Sequence, residues 1–279
     1  MLCHACLIFI TLCVIFSEGQ EFASIQRNTP RKFPDGFQFG AATSSYQVEG
    51  AWDVDGKGRN IWDHQTHLNP SPIEDASNGD DAGKSYYLYE RDVEMLREIG
   101  VDFYRFSLSW SRILPTAFPN EINQAGLDYY NRLIDELLKY NIEPMITIYH
   151  WDLPQKLQEL GGWSNPHSVD WFGDFARIAF NAFGDRVKYW VTVNEPTQIC
   201  YNGYGNGALA PFYTYSGAAD YMCAKYLLLA HARAYHIYDE EFRSSQKGSI
   251  FITFSAVWFE PASEDDIVAA QEARVFDLE

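Results

Sequence analysis

The sequence predicts a parallel α/β fold and, within that class, a (β/α)8 TIM barrel. Three observations carry this. Short apolar runs rich in β-branched and aromatic residues alternate with longer segments whose apolar residues recur at helical spacing. The runs are nearly continuous rather than alternating, which suits parallel strands buried on both faces. The first run leads into "GAATSSYQVEGAW", with no Gly-x-Gly-x-x-Gly. A doubly wound sheet would place a phosphate loop there. Polar residues gather instead at the C-terminal ends of several strands, where a barrel keeps its site.

Five strands are predicted: "GFQFGAA" (Gly36 to Ala42), "DFYRFSL" (Asp102 to Leu108), "EPMITIYH" (Glu143 to His150), "KYWVTVN" (Lys188 to Asn194) and "GSIFITFS" (Gly248 to Ser255). Between them, Tyr86, Tyr89, Val93 and Leu96 form a helical stripe closed by Gly100 at the C-cap. Leu127, Tyr130, Ile134 and Leu137 form a second. Asn165 and Pro166 fit the N-cap and first turn of a third helix, which carries Phe172, Phe175, Ala179 and Phe183 and stops at Gly184. A fourth helix spans about Gly217 to Phe242, and Ser263 with Asp266 reads as the capping box of a fifth.

Strand starts recur about every fifty residues, so eight units need roughly 400 residues. The 279 residues reach the fifth helix, which ends without glycine or proline. The expectation is a barrel truncated after about the fifth βα unit.

Apolar residues make up 47% and aromatics 16% of the chain, enough for a sizeable core. Eight Trp and eighteen Tyr also suit a surface for flat, amphipathic ligands such as sugars, although core packing accounts for them equally. A formal charge of −17 repels phosphate backbones and anionic membranes, so neither nucleic acid nor membrane is an expected partner. The opening "MLCHACLIFITLCVIFSEGQ" reads as a secretory signal over residues 1–19, with the mature domain over 20–279 and a secreted or extracellular location. Cys200 and Cys223 would then remain, either as a disulfide or as two buried thiols. His64 and His67 lack a nearby Cys or third ligand, so no metal site is expected.

The stretch richest in chemistry is "KYWVTVNEPT", Lys188 to Thr197. A carboxylate that closes a barrel strand points into the mouth, and Asn194 beside Glu195 offers an amide for a hydroxyl. Glycoside cleavage needs a carboxylic acid to protonate the leaving oxygen.

In chain order, "FQFGAATSSYQVEGAW", "GVDFYRFSLSWSRILP", "IYHWDLP", "GGWSNP" and "FGDRVKYWVTVNEP" are in register with the motifs of glycoside hydrolase family 1, the β-glucosidase family. The sequence resembles this family from about Pro30 to its end. The resemblance implies an eight-stranded barrel, a retaining mechanism on a small-molecule β-glucoside, two glutamates and no cofactor. It implies Glu195 as general acid/base and Arg105 as the cation under the nucleophile. Gln47, His150, Trp151 and Asn194 would bind the glycone. Each also has a plain structural reading: Gln47 as a loop cap, His150 and Trp151 as core, Arg105 paired with Glu49 or Asp152.

Two departures stand out. Phe39 replaces the family's usual Trp, and in "GALAPF" Phe212 replaces a glycine, on the leaving-group side. Plant myrosinase-type members carry Gln at the acid/base position, so Glu195 points to O-glycosides. The family nucleophile lies in a Thr-Glu-Asn-Gly-like motif on the seventh strand, and no such motif occurs in this sequence. The chain by itself is therefore expected to be inactive. The rival expectation is a non-catalytic sugar-binding or signalling relative that keeps Gln47, His150 and Trp151.

Overall fold

The computed structural model describes residues 32–278. The chain divides into two compact units, Met1–Phe37 and Gln38–Glu279. In the first, the Phe37 amide donates to the Pro34 carbonyl and the rings of Phe33 and Phe37 stack at 4.5 Å. The predicted signal, residues 1–19, lies outside the described residues.

The second unit is a five-stranded parallel sheet flanked by helices. The strands are β1 (Gly40–Ala42), β2 (Phe103–Ser107), β3 (Glu143–Tyr149), β4 (Tyr189–Asn194) and β5 (Ser249–Thr253). Each pairs in parallel with the next, in the order β1-β2-β3-β4-β5. Strands laid down in chain order, each followed by a crossover helix, are the sheet of a (β/α)8 barrel, whereas a doubly wound sheet reverses its order at a switch point. Among the described residues, β1 and β5 are the two edges.

The main helices are α1 (Ser85–Ile99), α2 (Gln124–Lys139), α3 (Ser168–Phe183), α4 (Ala219–Ile237) and α5 (Ile267–Leu278). Tyr86, Val93 and Leu96 of α1 are buried, as are Tyr130, Ile134 and Leu137 of α2 and Phe172, Phe175, Ala179 and Phe183 of α3. These are the stripes predicted from spacing, except that Tyr89 and Leu127 are only half-buried. Gly100 takes φ 80°, ψ 39°, and its amide returns to the Leu96 and Arg97 carbonyls, closing α1 in the left-handed conformation that glycine tolerates.

Three helix ends differ from expectation. α3 starts at Ser168, with His167 rather than Asn165 at its N-cap. The expected stop at Gly184 is observed, with right-handed angles at that glycine. Its missing Cβ leaves room for the Gln246 side chain, whose amide donates to the Phe180 carbonyl at 2.8 Å beside the Gly184 amide at 3.0 Å. Ser263 and Asp266 do not form a capping box. The Ser263 hydroxyl donates to the Asp266 carboxylate at 2.7 Å, so the two side chains satisfy each other rather than the backbone. The fourth helix is regular only to Ile237 and continues as a wider π turn over Tyr238–Phe242.

Candidate active site

The site is built where β3 and β4 end. β4 is buried from Trp190 to Asn194. Trp190 packs edge-on against Phe180 of α3, and the Thr192 hydroxyl meets His231 of α4 at 2.7 Å, so this alternation faces the helices. Period two would send Asn194 to the same side. It does not go there. Val191 pairs with Phe251 and Asn194 with Thr253, so β4 spends one residue more than β5 over this interval. That extra residue is a bulge, and a one-residue slip moves a side chain to the opposite face. Asn194 Oδ1 therefore accepts from Arg105 Nη2 of β2 at 2.6 Å.

Arg105 also donates from Nε to Thr147 Oγ1 of β3 at 2.8 Å. One guanidinium thus spans β2, β3 and β4. Burial lowers its pKa, and the charge of Glu195 opposes that effect. The structural pairing considered for Arg105, with Glu49 or Asp152, does not form. Glu49 is taken instead by Arg112, Nε to Oε2 at 2.9 Å, and by the Tyr130 hydroxyl at 2.6 Å, within the core behind the sheet. Asp152 accepts from Ser45 Oγ at 2.7 Å.

Glu195 follows with φ 52°, ψ 64°, a left-handed conformation that costs a non-glycine residue about 1–2 kcal/mol. The strain is held from three sides. The Glu195 amide donates to the Thr253 carbonyl at 2.8 Å, its carbonyl accepts from the Ile199 amide at 3.2 Å, and buried Pro196 starts the next helical turn. Trp151, just past β3, is also left-handed at φ 73°. Its indole donates to the Asn194 carbonyl at 2.9 Å. Two strained non-glycine residues at adjacent strand ends, tied together, mark a place where side-chain direction outweighs backbone comfort.

His150 precedes Trp151. Burial, with the nearby Arg105 charge, pushes its pKa down to about 4, so the imidazole is neutral at ordinary pH. Its Nδ1 is buried with no partner among the described residues. Gln47 sits apart, exposed, on the short helical turn Ser45–Val48 after β1. The structure thus joins Arg105, Asn194 and Trp151 by hydrogen bonds, places His150 and Glu195 beside them in the chain, and leaves Gln47 on the neighbouring turn.

The sequence offers Asp152 only as a structural partner of Arg105. It is fully buried, and burial, only partly offset by the Ser45 hydrogen bond, raises its pKa to about 7. The signal was an acidic residue next to two site residues. His67 has both ring nitrogens engaged, Nδ1 with the Asp63 carbonyl at 2.6 Å and Nε2 with Asp80 at 3.1 Å. No cluster of three or more metal-ligating side chains occurs among the described residues. Cys200 and Cys223 form a disulfide that ties the turn after Glu195 to α4.

The model of glycosyl hydrolase family 1 matches residues 29–279. The chain belongs to glycosyl hydrolase family 1. Within the family it is similar to Myrosinase 1 of Brevicoryne brassicae, 47% identical over 88% of this chain and 53% of that protein. It is also similar to the human cytosolic beta-glucosidase, 45% identical over 88% of this chain and 53% of that protein. Among solved structures it is similar to the beta-glucosidase from Thermotoga maritima in complex with castanospermine. That likeness has a TM-score of 0.80 and 44% identity, over 88% of this chain and 55% of that one. The chain spans about half the length of these relatives.

Proposed function

We propose that the polypeptide carrying this chain hydrolyses the O-glycosyl bond of β-glucosides with retention. Glu195 acts as general acid/base. Arg105 is the cation beneath the reacting centre, and Gln47, His150, Trp151 and Asn194 hold the glycone. The observation that carries this reading is the strained Trp151–Asn194–Glu195 corner, in which Arg105 fixes the amide beside the carboxylate. Neutral His150, with its free buried Nδ1, suits a hydrogen bond to an uncharged hydroxyl. The relatives' names, beta-glucosidase and myrosinase, support the reaction class.

A retaining mechanism needs a second carboxylate about 5–5.5 Å from the acid. Residues 1–279 contain no Thr-Glu-Asn-Gly-like motif to supply it, so these residues alone do not turn over. The Cys200–Cys223 disulfide is what an oxidising compartment permits, and it supports a secreted location.

The test is a panel of aryl O- and S-glucosides, assayed with residues 20–279 alone and with the longest polypeptide that the transcript encodes. Turnover of O-glucosides by the latter only is expected. Turnover by residues 20–279 alone, abolished by Glu195→Gln, would mean that this stretch holds its own nucleophile. No turnover by either would favour the sugar-binding rival.

A further inference from the structure

Asp152 is a fully buried carboxylate beside the site that the proposed chemistry leaves unused. It follows His150 and Trp151 directly. Its Oδ2 accepts from Ser45 Oγ at 2.7 Å, across 107 positions of sequence. Ser45 begins the turn Ser45–Val48, which carries Gln47. The Ser45 amide donates to Ser107 Oγ at 2.7 Å, and the Ser107 hydroxyl donates in turn to Ser45 Oγ at 3.2 Å. Ser107 ends β2, the strand of Arg105. Three strand ends are thereby pinned to one another by side chains that are all buried.

We propose that Asp152 is a positioning residue of the glycone site: through Ser45 it fastens the segment bearing His150 and Trp151 to the turn bearing Gln47. The proposal rests on the glycone reading given above. Its physical basis is that His150 and Gln47 stand on separate loops, with no hydrogen bond between them among the described residues. A sugar ring gripped by both needs their spacing held to a fraction of an ångström, and supporting hydrogen bonds are what hold it. The Asp152–Ser45 bond ties the two loops directly. The other Asp152 oxygen has no partner among the described residues, so the carboxylate is held through Ser45 rather than through a wider network. An aspartate in that position is otherwise costly. Burial disfavours its ionised form, which an apolar residue would avoid.

The test measures binding rather than turnover. A neutral aryl C-glucoside, which is not cleaved, is titrated into the longest polypeptide that the transcript encodes and followed by NMR. His150→Ala serves as the control for the glycone reading. Asp152→Ala and Ser45→Ala are each expected to weaken binding at least tenfold. Asp152→Asn keeps an acceptor for Ser45 and is expected to restore affinity to within threefold of wild type. That rescue separates positioning from a general need for the residue, and thermal melting of each variant confirms that it is folded. If His150→Ala abolishes binding while Asp152→Ala and Ser45→Ala bind as wild type, the positioning role is overturned and the glycone reading stands. If Asp152→Asn is folded and binds as poorly as Asp152→Ala, the Ser45 link is not what Asp152 supplies, and the proposal fails. If wild type does not bind the probe, the glycone reading falls and the proposal falls with it.

Discussion

Arg105 on β2 and Asn194 on β4 are joined by a hydrogen bond of 2.6 Å that passes over the intervening strand β3. The contact exists only because the bulge in β4 turns Asn194 away from the helices. It holds the amide next to Glu195 in one orientation, with Thr147 bracing the other side of the guanidinium.

Replacing Arg105 by Lys keeps the charge and loses the fork, since an ammonium is a single point that cannot reach Thr147 and Asn194 with fixed geometry. Asn194 is 4% exposed, so an unsatisfied Oδ1 there costs about 1–3 kcal/mol. Urea denaturation should show Arg105→Lys destabilised by that amount, and Asn194→Ala in the Lys background should cost less than in wild type. Equal costs in both backgrounds would mean that the two residues are not coupled.

Glu195→Gln removes the proton without changing shape. In a turning-over enzyme the loss should be large for glucosides with poor leaving groups and small for the first step on dinitrophenyl glucoside, whose leaving group needs little protonation. Equal loss on both classes would count against the acid/base assignment.

Asp152 should leave a mark on stability against pH. Its folded pKa of about 7 lies above the ordinary 3.8, so the folded state binds this proton more tightly than the unfolded chain does. Burial is the main cause. Ser45 and Lys57 pull the value down, and Glu49 pushes it up. The contribution is therefore complete below about pH 4, falls away as pH rises from 4 to 7, and is flat above that. Asp152→Asn removes this slope. Relative to wild type it should gain stability between pH 4.5 and 8, by about 4 kcal/mol at most. Denaturant midpoints at the two pH values check it, and parallel shifts of both proteins would contradict the assignment.

Phe212 occupies a left-handed position, φ 63°, where the family usually has glycine, and its ring meets Trp62 edge-on at 6.2 Å. Phe212→Gly relieves about 1 kcal/mol of backbone strain and gives up a comparable packing contribution, so its net effect should be under about 1 kcal/mol. Phe212→Ala keeps the strain and loses the ring, and should be the more destabilised of the two. Melting temperatures of the pair decide. Alanine as stable as glycine would show that the φ carries no cost.

The order and type of the elements are legible in the amino-acid chain, because periodicity is a local property. The runs "EPMITIYH" and "KYWVTVN" became β3 and β4 within a residue at each end, and the buried stripes of α1, α2 and α3 are the spaced residues read from the chain. The same local patterns set the place of Asn194 and Glu195 at a strand end. Tertiary structure decided what those residues face and touch. Period two would aim Asn194 at the helices; only the mismatch in length between β4 and β5 turns it toward Arg105. Residue type alone does not separate Arg105, in a predicted strand, from Arg112, seven positions later. Their partners, Asn194 and Glu49, were settled by which strand ends the fold brings together. The role of Asp152 was hidden for the same reason. A carboxylate reads as an exposed loop charge until the burial that raises its pKa, and the serine 107 positions away that holds it, are supplied by packing.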